Sequence, residues 1–106
     1  MQMFNPPHPG RGIREYMGEA ITVAVLAKHL GMTRANLSMI LNGRSRVSAM
    51  VAVKLSEAFP NSDPEFWLGL QTQYDLAQVR KKKRTKVLPL FQKLPERTDF
   101  YLAAAR

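Results

Sequence analysis

The chain contains no cysteine. That excludes a disulfide framework and any zinc site built on thiolates. It has no apolar run near 18 residues, so no transmembrane helix is expected. Its first twelve residues, MQMFNPPHPGRG, lack the apolar stretch of a secretion signal, and the cytosol is the expected location. Strand-like alternation of useful length is also missing. So are a glycine-rich phosphate loop, a nucleophile elbow and a His-Glu-x-x-His pair. Glu15 and Glu19 are four residues apart, but no acid/base partner accompanies them. His8 and His29 are isolated histidines without supporting carboxylate spacing, so no metal site is expected. The expectation is a protein that is not an enzyme and needs no cofactor or small-molecule substrate.

Acidic residues are scarce, eight against sixteen Lys/Arg, for a net charge of +8. Such an excess points to an anionic partner. It is unevenly placed. Residues 1–79 hold seven Lys/Arg and six Asp/Glu, whereas residues 80–106 hold nine and two. The first part is expected to be one folded domain and the second a basic extension.

What the chain does have is helical periodicity. Pro6, Pro7 and Pro9 keep the start irregular. A first helix is expected over about residues 10–18, with Ile13 and Met17 facing inward. Thr22 reads as the N-cap of a second helix, because its hydroxyl can accept from a free backbone N–H. Leu26, Ala27 and Leu30 form that helix's inner stripe, and Gly31 ends it. Thr33 caps a third helix with Leu37, Ile40 and Leu41 inside, and Asn42-Gly43 terminates it. Ser48 caps a fourth, carrying Met50, Val51, Val53, Leu55 and Phe59. Asn61-Ser62-Asp63-Pro64 is a helix-start signal. The fifth helix is expected from about Pro64 to at least Val79, with Phe66, Trp67, Leu70, Tyr74 and Ala77 on one side.

The stretch at about residues 22–42 has the spacing of a helix-turn-helix. Ala27 is small where two helices cross, Gly31 tolerates positive φ four residues later, and Leu37 is a buried anchor six beyond that. In this motif the second helix enters the major groove of DNA. Its outward residues would then include Arg34 for a guanine, Ala35 and Met39 for thymine methyls, and Ser38 as a polar reader. Thr33, Asn36, Asn42, Arg44 and Arg46 are placed for phosphates, which set register without carrying base code. The plainer alternative leaves Arg34, Arg44 and Arg46 as a solvated helix end and loop, with Met39 merely tolerated.

These residues, with others, carry a family resemblance. His8-Pro9-Gly10, Leu26-Ala27…Leu30-Gly31, Leu37…Ile40-Leu41-Asn42-Gly43-Arg44, Ala52…Leu55 and Phe66-Trp67-Leu68-Gly69-Leu70-Gln71 resemble the HigA (VapI-type) antitoxins. Those belong to the Xre/phage-repressor helix-turn-helix group. The resemblance covers about residues 6–79. It implies an all-α, five-helix, lambda-repressor-like domain, usually a homodimer, that binds palindromic operator DNA in its own promoter. It also implies neutralisation of a cognate RelE-like toxin, an mRNA-cleaving ribonuclease. Thr33, Arg34, Ala35, Ser38 and Met39 match the family's DNA-reading face. Thr22 opens the second helix where related repressors often carry a phosphate-touching polar residue.

Phe66, Trp67, Leu70 and Tyr74 are expected as core or dimer-interface packing, with Trp67 carrying part of the interface as aromatic anchors do. His8 is expected to be structural, its prolines holding the N-terminal arm against the domain. The run at residues 80–86 has three readings: a solvated linker, a DNA clamp, or a contact to an acidic partner surface. The segment 87–106 would be a short docked helix or disordered. Two rival functions stay open, a protein-interaction module that has lost DNA reading and a stand-alone phage-type repressor without a toxin.

Overall fold

The structure is a computed structural model, and it describes residues 5–91. Five helices follow one another: α1 (Pro9–Met17), α2 (Val23–Leu30), α3 (Arg34–Leu41), α4 (Ala49–Ala58) and α5 (Pro64–Lys81). There is no strand among the described residues, and none of their helices is long and apolar enough to cross a membrane.

Each helix starts at a side chain that accepts a hydrogen bond from an otherwise free backbone N–H. Thr22 Oγ1 accepts from Val25 N–H at 3.2 Å, and Thr33 Oγ1 from Asn36 N–H at 3.1 Å. Ser48 Oγ accepts from Val51 N–H at 3.2 Å, and Asp63 Oδ1 from Phe66 N–H at 2.7 Å. The first helix departs from expectation at both ends. It begins at Pro9 and is capped by His8, whose Nδ1 accepts from Gly10 N–H at 3.0 Å. An imidazole nitrogen thus stands in for the usual hydroxyl or carboxylate. The helix ends at Met17 rather than Gly18.

The turn after α2 closes as the spacing predicts. Gly31 has φ +69° and ψ 34°, and Met32 N–H donates back to the Ala27 carbonyl at 2.9 Å. That is the six-to-one bond of a Schellman motif. The end of α3 repeats it at Gly43 (φ +74°), with Arg44 N–H donating to the Met39 carbonyl at 2.8 Å.

The core is one cluster fed by all five helices: Ile13 and Met17, Leu26, Ala27 and Leu30, Leu37, Ile40 and Leu41, Ala52 and Leu55, and Trp67, with Val47 from the α3–α4 loop. α3 packs against α1 and α2, and α5 against α4 and α1. The crossing of α1 over α3 is tight. A Cβ on Gly10 would strike the Ile40 carbonyl oxygen and lie 2.9 Å from that of Leu41. Only a residue without a side chain permits this approach.

The fifth helix runs through Lys81, two residues into the basic run. Beyond it, residues 82–91 form no helix and are exposed. The rest of the expected docked helix or disordered tail, residues 92–106, lies outside the described residues.

Candidate nucleic-acid interface

Burial of Leu37, Ile40 and Leu41 fixes the rotation of α3 about its axis. The opposite face must then look outward. Thr33, Arg34, Ala35, Asn36 and Asn42 are exposed, Met39 is 46% exposed, and Ser38 is half-buried. All four residues expected to read bases therefore stand on one face of α3 or at its edge. Arg34 and Arg44 make no ion pair among the described residues, so their guanidinium groups are free to meet an anion.

Not every expected phosphate contact is equally free. Arg46 Nη2 lies 2.8 Å from Asp75 Oδ2 of α5. Its charge is compensated within the chain, and it is a weaker phosphate ligand than its position in the loop implies. Asn42 is also engaged. Its Oδ1 accepts from Arg14 Nη2 at 3.1 Å, and its Nδ2 donates to Ser38 Oγ at 3.3 Å. Thr22 and Thr33 use a hydroxyl lone pair in capping but keep the hydroxyl proton available for donation.

The segment that carries this face is more positive than the domain sum implies. Residues 21–56 contain Lys28, Arg34, Arg44, Arg46 and Lys54 and no Asp or Glu. The acids that bring residues 1–79 almost to neutrality lie outside this window, at Glu15, Glu19, Glu57, Asp63, Glu65 and Asp75. A count over the motif and its flanks would have found this; the count over the whole domain concealed it.

The loop that carries Arg44 and Arg46 is held from beneath by a residue that sequence reasoning placed in the family block but gave no role. Gln71, 2% exposed, is the buried polar side chain among the described residues. Its Oε1 accepts from Val47 N–H at 2.7 Å, and its Nε2 donates to Asp75 Oδ1 at 2.9 Å. Asp75 in turn grips Arg46. A continuous chain of polar contacts thus ties α5 to the loop leaving the recognition helix. Its sequence signal was slight, a glutamine on the apolar side of α5.

His8 closes the other side of this loop. Its ring meets Tyr74 edge-on, with centroids 4.9 Å apart, and lies against the Gly43 backbone. Burial pushes the His8 pKa below the ordinary histidine value, opposed by the nearby Asp75 carboxylate and a backbone hydrogen bond with Ser45. The structural role expected of His8 is what these contacts supply.

The expected dimer surface needs one correction. Trp67 is 0% exposed and is the largest fully buried side chain, with Nε1 donating to Ser62 Oγ at 3.0 Å. Its surface is spent within its own chain, because an indole this large fills the space where α5 crosses α1, so it cannot anchor a partner. Phe66 packs on it edge-on at 5.0 Å yet stays 42% exposed. Leu70 and Tyr74 are half-buried. Phe66 and Leu70 line a shallow depression between α1 and α5 with Pro7, His8, Gly12 and Glu15.

The family model described as HTH_3, helix-turn-helix, matches residues 13–67. The chain therefore belongs to the helix-turn-helix family, in the Xre-type group of the HigA and VapI proteins. Among its relatives is virulence-associated protein A' of Dichelobacter nodosus, 52% identical over 92 residues, covering 86% of this chain and 80% of that protein. An addiction module antidote protein of the HigA family from Coxiella burnetii superposes with a TM-score of 0.68. It is 37% identical, over 73% of this chain and 85% of that one. The antitoxin HigA of Pseudomonas aeruginosa, solved with the higBA promoter, gives 0.66 at 32% identity, over 71% and 83%.

Proposed function

We propose that the chain is a sequence-specific DNA-binding regulator, the antitoxin of a toxin–antitoxin pair, which represses its own operon. One observation carries the DNA reading. α3 presents Arg34, Ala35 and Met39 on its exposed face with Ser38 at the edge, within a 36-residue segment free of acidic residues. Such a surface attracts the phosphate backbone and offers side chains suited to base edges. Likeness to a HigA solved with promoter DNA supports the same reading. Thr22, Thr33, Asn36 and Arg44 take the phosphates. Ser38 and Asn42 stay linked to each other, and Asn42 helps position the helix end through Arg14.

A two-fold homodimer would set two copies of α3 about 34 Å apart, one turn of DNA. The exposed parts of Phe66, Leu70 and Tyr74 would serve that contact. The toxin is proposed to be a RelE-like ribonuclease, supported by similarity to a HigA-family antidote. A pure protein-interaction module, which the near-neutral total of residues 1–79 would suit, is the weaker reading, because residues 22–46, the motif and the loop after it, carry four cations and no acid.

The experiment is footprinting of the purified protein on the DNA upstream of its own gene, against a scrambled duplex. A protected palindrome is expected, with affinity at least about 10³-fold above the scrambled sequence. Equal affinity for both would refute base reading. For the toxin, co-expression with the neighbouring gene should yield a stable complex that suppresses mRNA cleavage. A neighbour that neither binds nor cleaves would leave a stand-alone regulator.

A further inference from the structure

We propose that residues 80–86 form a second DNA-contacting element, a sequence-independent clamp on duplex phosphates flanking the site that α3 reads. This rests on the DNA reading above and adds a contact outside the helix-turn-helix. The run Arg80-Lys81-Lys82-Lys83-Arg84-Thr85-Lys86 carries six cations and no acid. All seven residues are exposed, and none of them makes an ion pair among the described residues.

Its place in the fold singles out DNA. Gln71 and Asp75, one turn apart on α5, bind Val47 and Arg46 in the loop that follows α3. Lys82, the C-cap just past the last helical residue, comes seven residues after Asp75, about two turns along α5. It lies about 10 Å further along the axis at 1.5 Å per residue. The helix is therefore tied to the loop that holds Arg44, and its basic end follows that contact along the axis. From Lys82 the chain is non-helical, and residues 82–86 can extend about 16 Å more. That reach takes the run past the loop to neighbouring phosphates.

The composition selects the kind of nucleic acid. A single-strand platform needs aromatic side chains among its cations for base stacking. The run has none. Flexible lysines act as point charges that neutralise phosphates without reading sequence.

The test compares the full chain with a variant carrying Lys82→Ser, Lys83→Ser, Arg84→Ser and Lys86→Ser, which leaves α5 intact through Lys81. Fluorescence anisotropy would follow binding to the upstream duplex and to a scrambled duplex across a sodium chloride series. Each phosphate contact adds about 0.9 to the slope of log affinity against log salt. The variant's slope is expected to fall by about 2–4 on both duplexes alike, leaving the affinity ratio between them unchanged. Slopes equal to those of the unaltered protein would overturn the clamp. Loss confined to the upstream duplex would also overturn it, since it would mean base reading. If the unaltered protein shows no selectivity but the slope difference persists, base reading by α3 fails and the clamp stands.

Discussion

The Gln71 amide oxygen accepts a hydrogen bond from Val47 N–H at 2.7 Å, joining the middle of α5 to the loop behind the recognition helix. The contact is buried and reaches on through Asp75 to Arg46. It settles the course of the loop that holds Arg44. Replacing Gln71 with Leu leaves the Val47 N–H without an acceptor inside the core. The variant should lose about 1–3 kcal/mol of stability, the cost of an unsatisfied buried donor. Chemical denaturation would measure it. A change under about 0.5 kcal/mol, the level of an ordinary surface substitution, would show that the loop finds another acceptor.

Gly10→Ala tests the crossing of α1 over α3. The added methyl meets the Ile40 and Leu41 carbonyls, and neither backbone group can swing aside as a side chain would. Overpacking of this kind costs about 1–3 kcal/mol. In a domain of this size each kcal/mol lowers the melting temperature by about 4–8 °C. An unchanged melting temperature would mean that α1 can ride higher on α3 without penalty.

Gly31→Val separates backbone conformation from packing. A Cβ there meets only the Lys54 ammonium, at 4.0 Å, so space is not the obstacle. The positive φ is. The left-handed conformation costs an L-residue about 1–2 kcal/mol, and β-branching raises that. Thermal unfolding should report the loss, with Gly31→Asn milder because asparagine tolerates this region.

Stability should fall as the solution is acidified, through His8. The folded protein holds this imidazole below its ordinary pKa, and its Nδ1 serves as the acceptor that caps α1. Protonation removes that lone pair. Because the folded value is depressed, the unfolded chain takes up the proton first. The contribution is complete above about pH 6.5 and is lost as pH drops through the folded value. His8→Asn keeps a capping acceptor and removes the titration. Its denaturation midpoint should be flatter between pH 7.5 and pH 5.5 than that of the unaltered chain, and equal slopes would refute the assignment.

Arg34→Ala addresses the reading face. A bidentate arginine–guanine contact is worth about 1–3 kcal/mol of discrimination. The variant should lose that much on the operator and relax preference at one base pair. Equal losses on operator and scrambled DNA would reassign Arg34 to a phosphate.

The sequence by itself determined the elements whose physics is local. Thr22, Thr33, Ser48 and Asp63 each satisfy an N–H three residues ahead, and Gly31 turns the chain within a single residue. The inner stripe of α3 follows from its helical period, which also fixes the face carrying Arg34, Ala35, Ser38 and Met39. Each of these depends on neighbours within about one turn, and a linear reading holds them all. Only the tertiary structure decided the partners of residues far apart in the chain. Arg46 goes to Asp75, Arg14 to Asn42 and Val47 to Gln71, across 24 residues or more. Trp67, expected as core or dimer-interface packing, is buried in its own core. Such pairings depend on the angle at which α1, the helix that α5 packs against, crosses α3. That angle is set by the close approach at Gly10 and by the packing of the whole core, which no local period encodes.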